Sequence, residues 1–89
     1  MKIIRKSAAG TLESSDILVE VEPGRGVSVE IQSSVKAQFG EAIERTLRGV
    51  LSELGVDDVS MRVVDRGALD CTIRARAETA VRRASREED

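Results

Sequence analysis

Histidine, tryptophan and tyrosine are missing from this chain, and Phe39 is its single aromatic residue. Without histidine, a serine or cysteine nucleophile has no conventional general base. With no histidine and one cysteine, Cys71, a zinc site has too few ligands. One ring makes no stacking platform for single-stranded nucleic acid, and a net charge of −2 gives no overall pull on a phosphate backbone. Nucleic acid is therefore not an expected partner. No apolar run outlasts Ile17-Leu18-Val19, so no segment is expected in a membrane. The opening Met-Lys-Ile-Ile-Arg-Lys turns polar at once and lacks the apolar core of a signal peptide. A lone cysteine closes no internal disulfide and suits a reducing compartment, so the expected location is the cytoplasm.

What is present is enough for one modest core. Hydrophobic residues make up 40% and charged residues 34% of the 89, a folding rather than a disordered composition. A chain of this size holds one domain, 1–89, with a short charged tail at about 85–89.

Period-two patterns come first. Residues 3–12 read as a loose strand. Residues 17–22 and 27–32 alternate apolar and polar side chains, which predicts two half-buried strands. Short polar turn formers at 13–16 and the PGRG at 23–26 separate the three segments and predict two hairpins. The period then lengthens. Val35, Phe39, Ile43, Leu47, Val50, Leu51 and Leu54 make one apolar stripe on a helix of about 20 residues. Ser33 or Ser34 can cap its start, and Gly55 stands where it would end. Glu41 with Arg45 and Glu44 with Arg48 are acid-before-base pairs at i,i+4. Residues 59–64 read as a strand, and Leu69, Cys71, Ile73 and Ala75 alternate as another. An alanine- and arginine-rich helix follows. The expected fold is α+β, with a mostly antiparallel sheet of about five strands, one long helix and a shorter C-terminal helix. Its expected core is Val29, Ile31, Val35, Phe39, Ile43, Leu47, Leu51, Val63, Leu69, Cys71 and Ile73.

Few residues are candidates for chemistry. Ser14 and Ser15, between Glu13 and Asp16, are either plain turn formers or a hydroxyl displayed for another enzyme to modify. Cys71, on the inward side of its expected strand, reads as a small core residue rather than a reactive thiol. Arg74, Arg76, Arg82, Arg83 and Arg86 are interleaved with glutamates, which reads as a solvated face before a phosphate site. PGRG lacks the spacing, lysine and following helix of a phosphate loop. Asp57-Asp58 and Glu87-Glu88-Asp89 lack the alternating ligands of a calcium loop, so no metal site is expected. An autonomous enzyme is a poor fit to this inventory.

Three segments carry a resemblance. AGTLESSD (9–16), IQSSVKAQFG (31–40) and GALDCTIRARAETAVRRAS (67–85) together resemble the acyl carrier (gamma) subunits of citrate lyase, in order and from one end of the chain to the other. The resemblance implies a non-catalytic carrier with a covalent 2'-(5''-triphosphoribosyl)-3'-dephospho-CoA arm, joined by a phosphodiester to the serine matching Ser14, with Ser15 the second choice. It implies an acetyl or citryl thioester on the arm. The implied partners are the alpha (acyl transferase) and beta (citryl lyase) subunits and an arm-transferring enzyme. The carrier subunit of malonate decarboxylase, which uses the same type of arm, is the nearest alternative. A small interaction or RNA-binding module is the alternative from another class, although the sheet aromatics and basic face it needs are missing.

Overall fold

The computed structural model describes residues 1–33 and 36–86, with the backbone alone for Lys36 and Ala37. Its elements are β1 (Ser7–Gly10), β2 (Ile17–Glu22), β3 (Val27–Ser33), α1 (Lys36–Glu53), β4 (Val59–Asp65) and α2 (Asp70–Ser85). The fold is α+β, but the sheet has four strands, not about five, and it is mixed: β1-β2-β4-β3.

β1 and β2 form the expected hairpin, with Ser7 opposite Val21 and Gly10 opposite Leu18. β2 and β3 do not. β4 lies between them, antiparallel to β2 from Ile17↔Asp65 to Glu22↔Ser60. It is parallel to β3 from Val27↔Val59 to Ser33↔Asp65. The reversal at PGRG is real, yet it spans the two strand spacings, about 10 Å, that β4 occupies. Local turn chemistry shows that the chain turns back and not what enters the gap. Gly24 crosses so close to β4 that a Cβ there would stand 2.9 Å from the Ser60 nitrogen. Gly26 N–H donates to Asp58 Oδ1 at 2.8 Å, and Val59 N–H donates to the Gly26 carbonyl at 2.9 Å.

The expected fifth strand is the first half of α2. Leu69 to Ala75 fit an alternating pattern only within that window. Continued to residue 84, the buried positions are Ile73, Ala77, Ala80, Val81 and Ala84, a helical stripe. Alanine favours the helix, and its small side chain lets α2 lie close to the sheet. Two of the expected core residues are displaced as a result: Leu69 is 70% exposed and Cys71 is exposed.

α1 keeps its expected stripe at Ile43, Leu47, Val50 and Leu51, all buried, with Leu54 half-buried. Its end is a Schellman motif. Val56 N–H bonds the Leu51 carbonyl at 2.9 Å, Gly55 N–H bonds the Ser52 carbonyl at 3.1 Å, and Gly55 takes φ +65°. Glu44 and Arg48 pair at 2.8 Å. Phe39 departs from expectation: it is 51% exposed. It stands in the first turn of α1, beside Leu69 and Ile73 at the start of α2, where a groove stays open. Val35 and Ser34 lie outside the described residues, as do residues 87–89 of the expected tail.

Inward from the sheet come Ile17, Val19 and Val21 of β2 and Val59, Met61 and Val63 of β4, all buried. Val29 and Ile31 are only half-buried because β3 is an edge strand. Ile3 and Ala9 join the core as well. α1 packs on β3, α2 on β1 and β2, and the helices on each other. The opposite face of the sheet is mostly polar apart from the Leu18–Val64 pair, and register places Arg62 between Glu20 and Glu30. One end of the sheet gathers the end of β1, the start of β2 and the ends of β3 and β4. Both helices begin at that end, since each follows a strand that finishes there.

Leu47 and Phe39 separate the two environments of α1. Leu47→Ala should cost about 2–5 kcal/mol by urea unfolding, as for a fully buried leucine, whereas Phe39→Ala should cost less than about 1 kcal/mol.

Candidate functional site

Ser14 sits in the loop between β1 and β2, at the end of the molecule where both helices begin. Gly10 leads into that loop with φ +97°, and a Cβ on it would fall 1.8 Å from the Ile17 carbonyl oxygen, so only glycine fits. Residues 13–16 form a β-turn closed by Asp16 N–H on the Glu13 carbonyl at 3.2 Å. Ser15, its third residue, takes φ +65°, the left-handed region where a type II turn asks for glycine. Ser14 is exposed, and among the described residues its hydroxyl has no hydrogen-bond partner.

Asp16 holds this turn from beneath. Its Oδ1 accepts from Ile17 N–H at 2.7 Å and Arg76 Nε at 3.1 Å; its Oδ2 accepts from Thr11 Oγ1 at 2.7 Å and Arg76 Nη2 at 3.0 Å. Thr11 Oγ1 in turn accepts from Glu13 N–H at 3.1 Å. The forked guanidinium bond of Arg76, helped by Thr11 and the Ile17 amide, lowers the Asp16 pKa from 3.8 to about 2.

A second support comes from β4. Ser15 N–H donates to the Arg66 carbonyl at 2.7 Å, and Arg66 N–H donates to the Asp16 carbonyl at 2.9 Å. The β2–β4 ladder thus runs on into the turn. The segment after β4 is fixed by the buried Asp65. Its carboxylate accepts from Ser33 Oγ at 2.9 Å, Gly67 N–H at 3.1 Å and Ala68 N–H at 3.0 Å. Two of the three bonds fall within the 65–68 loop, which makes this buried group a brace for it, and the third ties it to the end of β3.

The structure brings Ser14 and Ser15 together at one exposed turn and leaves Cys71 apart, on the outer side of α2. Apart from exposed Arg86, the arginine cluster is engaged within the protein. Arg74 pairs with Glu53 at 2.7 Å, Arg82 pairs with Glu78 at 2.9 Å, and Arg83 donates to the Ala8 carbonyl at 2.9 Å. Arg76 is the one that reading the sequence underrates. It lies 60 positions from Asp16, and no spacing rule links them. The resemblance offered the only signal, since AGTLESSD and the arginine-bearing C-terminal block came as a set. Among the described residues no cluster of three or more potential ligands could hold a metal ion, and no helix is long and apolar enough to cross a membrane.

This turn meets the requirements of a covalent attachment point. The Ser14 hydroxyl is free and exposed on a braced backbone. Arg66, bonded through its backbone to the same turn, carries an exposed guanidinium without a carboxylate partner among the described residues. A phosphodiester at Ser14 would therefore have a cation within its own structural unit, and the residues fit an anionic arm.

A family model described as malonate decarboxylase delta subunit (MdcD), an acyl carrier protein, matches residues 4–84. The chain is 52% identical over 87 residues to a citrate lyase acyl carrier protein of Haemophilus influenzae strain PittEE, covering 98% of this chain and 92% of that protein. It is 55% identical over 86 residues to the citrate lyase acyl carrier protein of Serratia proteamaculans, covering 94% and 84%. With that of Streptococcus mutans it shares 49% over 90 residues, covering 99% and 88%. A solved protein of Thermus thermophilus has a similar fold, with a TM-score of 0.56 at 12% identity over 93% of this chain and 16% of the larger one.

Two outcomes test the turn. Because the Asp16 pKa is depressed, its contribution to stability is complete above about pH 4 and is lost as the pH falls towards 2. Urea midpoints of wild type should therefore drop more steeply between pH 4 and 2 than those of Arg76→Gln. Ser15→Gly should raise stability by up to about 1 kcal/mol at neutral pH, since it relieves a left-handed non-glycine residue and gives back part of that in chain entropy.

Proposed function

The chain belongs to the citrate lyase acyl carrier protein family, and on that footing we propose that Ser14 Oγ is the attachment point of its covalent arm. The chain is a non-catalytic carrier: the acyl group rides on it while other citrate lyase subunits do the chemistry. The observation that carries the assignment to Ser14 is its free, exposed hydroxyl at the crest of a turn braced by Asp16, Arg76 and the β4 extension. Ser15 is a weaker candidate, because its amide is committed to Arg66 and its backbone to the left-handed conformation.

The arm is a 2'-(5''-phosphoribosyl)-3'-dephospho-CoA group, left on Ser14 Oγ when a triphosphoribosyl donor gives up pyrophosphate, and when bound it supplies a terminal thiol that carries the acyl group as a thioester. Everything else asked of this chain is positional. Ser14 provides an oxygen for the phosphodiester. Asp16 and Thr11 keep the turn in one conformation, so the attaching enzyme meets a preformed loop rather than a flexible peptide. Arg66 offsets some of the phosphate charge. The tether confines the thioester to a small volume around the transferase (alpha) and lyase (beta) subunits, which raises its effective concentration there without any acid or base from the carrier. The missing histidine is consistent with that division of labour.

The description of the matching family model favours a second reading, a carrier for malonate decarboxylase. It uses the same serine with different partners. Reconstitution separates the two: holo-carrier should restore citrate cleavage to citrate lyase alpha and beta subunits and not malonate decarboxylation to the other enzyme's subunits.

Ser14→Ala should keep the fold, with a change in stability within about 0.5 kcal/mol. It should gain no mass when incubated with the arm-transferring enzyme and its donor, whereas wild type and Ser15→Gly gain one arm each. A mass gain that persists in Ser14→Ala and is lost in Ser15→Gly would move the site to Ser15.

A further inference from the structure

We propose that the apolar groove beside the attachment turn is a docking cradle for the chain's own arm, in which the pantetheine end rests between deliveries. This rests on the assignment of the arm to Ser14. The groove has a volume of about 430 Å³, and its apolar walls are Phe39, Ala42, Ile43, Ala68, Leu69 and Ile73. Two of these are exposed large apolar residues, Phe39 at 51% and Leu69, the most exposed of that kind among the described residues, at 70%. A small domain gains nothing in solubility by leaving two large apolar side chains at one cleft, and such a patch marks a binding surface.

Position identifies the occupant. Asp65, Gly67 and Ala68 belong to the loop that forms one wall of the groove, and the carbonyl of Arg66, within that loop, accepts the Ser15 amide at 2.7 Å. The turn and the groove are therefore joined by one continuous run of backbone and share one end of the molecule. A group tethered at Ser14 visits that groove at the high effective concentration of an intramolecular ligand, so even weak apolar contacts populate the docked state. The chemistry matches as well. The pantetheine segment has a geminal dimethyl group and methylenes for the apolar walls. It also has amides for a polar rim, where Thr46 Oγ1 and Asp70 Oδ1 are bonded at 2.6 Å. Its phosphates stay outside, nearer the turn and Arg66. A larger open depression of about 840 Å³ suits the arm poorly. Glu20, Glu30, Glu41 and Glu44 line it against Arg62 as the one cation, and it shares no residue with the 11–16 loop or the 65–70 segment. Carboxylates there repel a polyanionic arm.

The test uses the lone aromatic ring as a reporter. With no tyrosine, tryptophan or histidine, the aromatic side-chain carbon-bound proton signals of the carrier belong to Phe39 alone. Holo-protein is prepared enzymatically, and digestion with mass analysis first locates the arm; an arm found elsewhere would overturn the Ser14 assignment itself. With the arm on Ser14, nuclear Overhauser contacts should link the Phe39 ring to the geminal methyls of the arm. The methyl signals of Ile43, Leu69 and Ile73 should shift between apo- and holo-protein. Leu69→Ser should abolish those contacts and leave the fold and the loading at Ser14 unchanged. Shifts confined to residues 11–16, with no contact to Phe39 in correctly loaded protein, would overturn the cradle. So would a Leu69→Ser holo-protein that keeps every arm contact and instead loses affinity for the alpha or beta subunit, because the groove would then serve a partner protein.

Discussion

β4 is paired on both sides, antiparallel to β2 and parallel to β3, and its inward residues Val59, Met61, Val63 and Asp65 are all buried. A strand confined in this way has a single register, since a shift by one residue would turn that whole face outward. Its last residue is the buried aspartate that braces the 65–68 loop. That loop extends the ladder to Ser15 and Asp16. The geometry of the exposed serine thus descends from the most constrained strand in the molecule, through a short series of backbone hydrogen bonds. Arg76 adds a second, independent hold from α2.

A carrier has to combine a firm anchor with a mobile load. The firm part here is compact: Gly10, Thr11, Asp16, Arg66 and Arg76 fix the 11–16 loop. Nothing in this set is a catalyst. Asp16 is kept ionised by its partners, and a permanently charged group bonded on every side does not exchange protons near neutral pH. The mobile part would be a group attached at the turn, and two helix N-termini at the same end would favour anionic groups on it.

Much of this was legible in the sequence, element by element. Alternation in ILVEVE, VSVEIQ and VSMRVV marked three of the four strands, because each has one wet face and one buried face. The stripe from Ile43 to Leu54 and the Gly55 stop marked α1. What escaped was non-local. The insertion of β4 between β2 and β3 leaves no trace in a turn sequence. Leu69 to Ala75 satisfies two periods at once, and only the alanines further on decide for the helix. Phe39 has the spacing of a core residue, but the stripe is covered only from Ile43 onward, which spacing alone does not reveal. At the site, the turn chemistry of ESSD was readable, while the role of Arg76 depended on a contact 60 positions away.

That distance has a consequence for the order in which the protein is made. A ribosome adds the guanidinium that holds the aspartate of AGTLESSD 60 residues after that aspartate. β4 and its loop also arrive long after the serine. The braced turn is consequently completed well after its own residues are joined, once β4 and α2 have followed. An enzyme that reads the turn's shape would therefore pass over chains in which β4 and α2 have not yet folded.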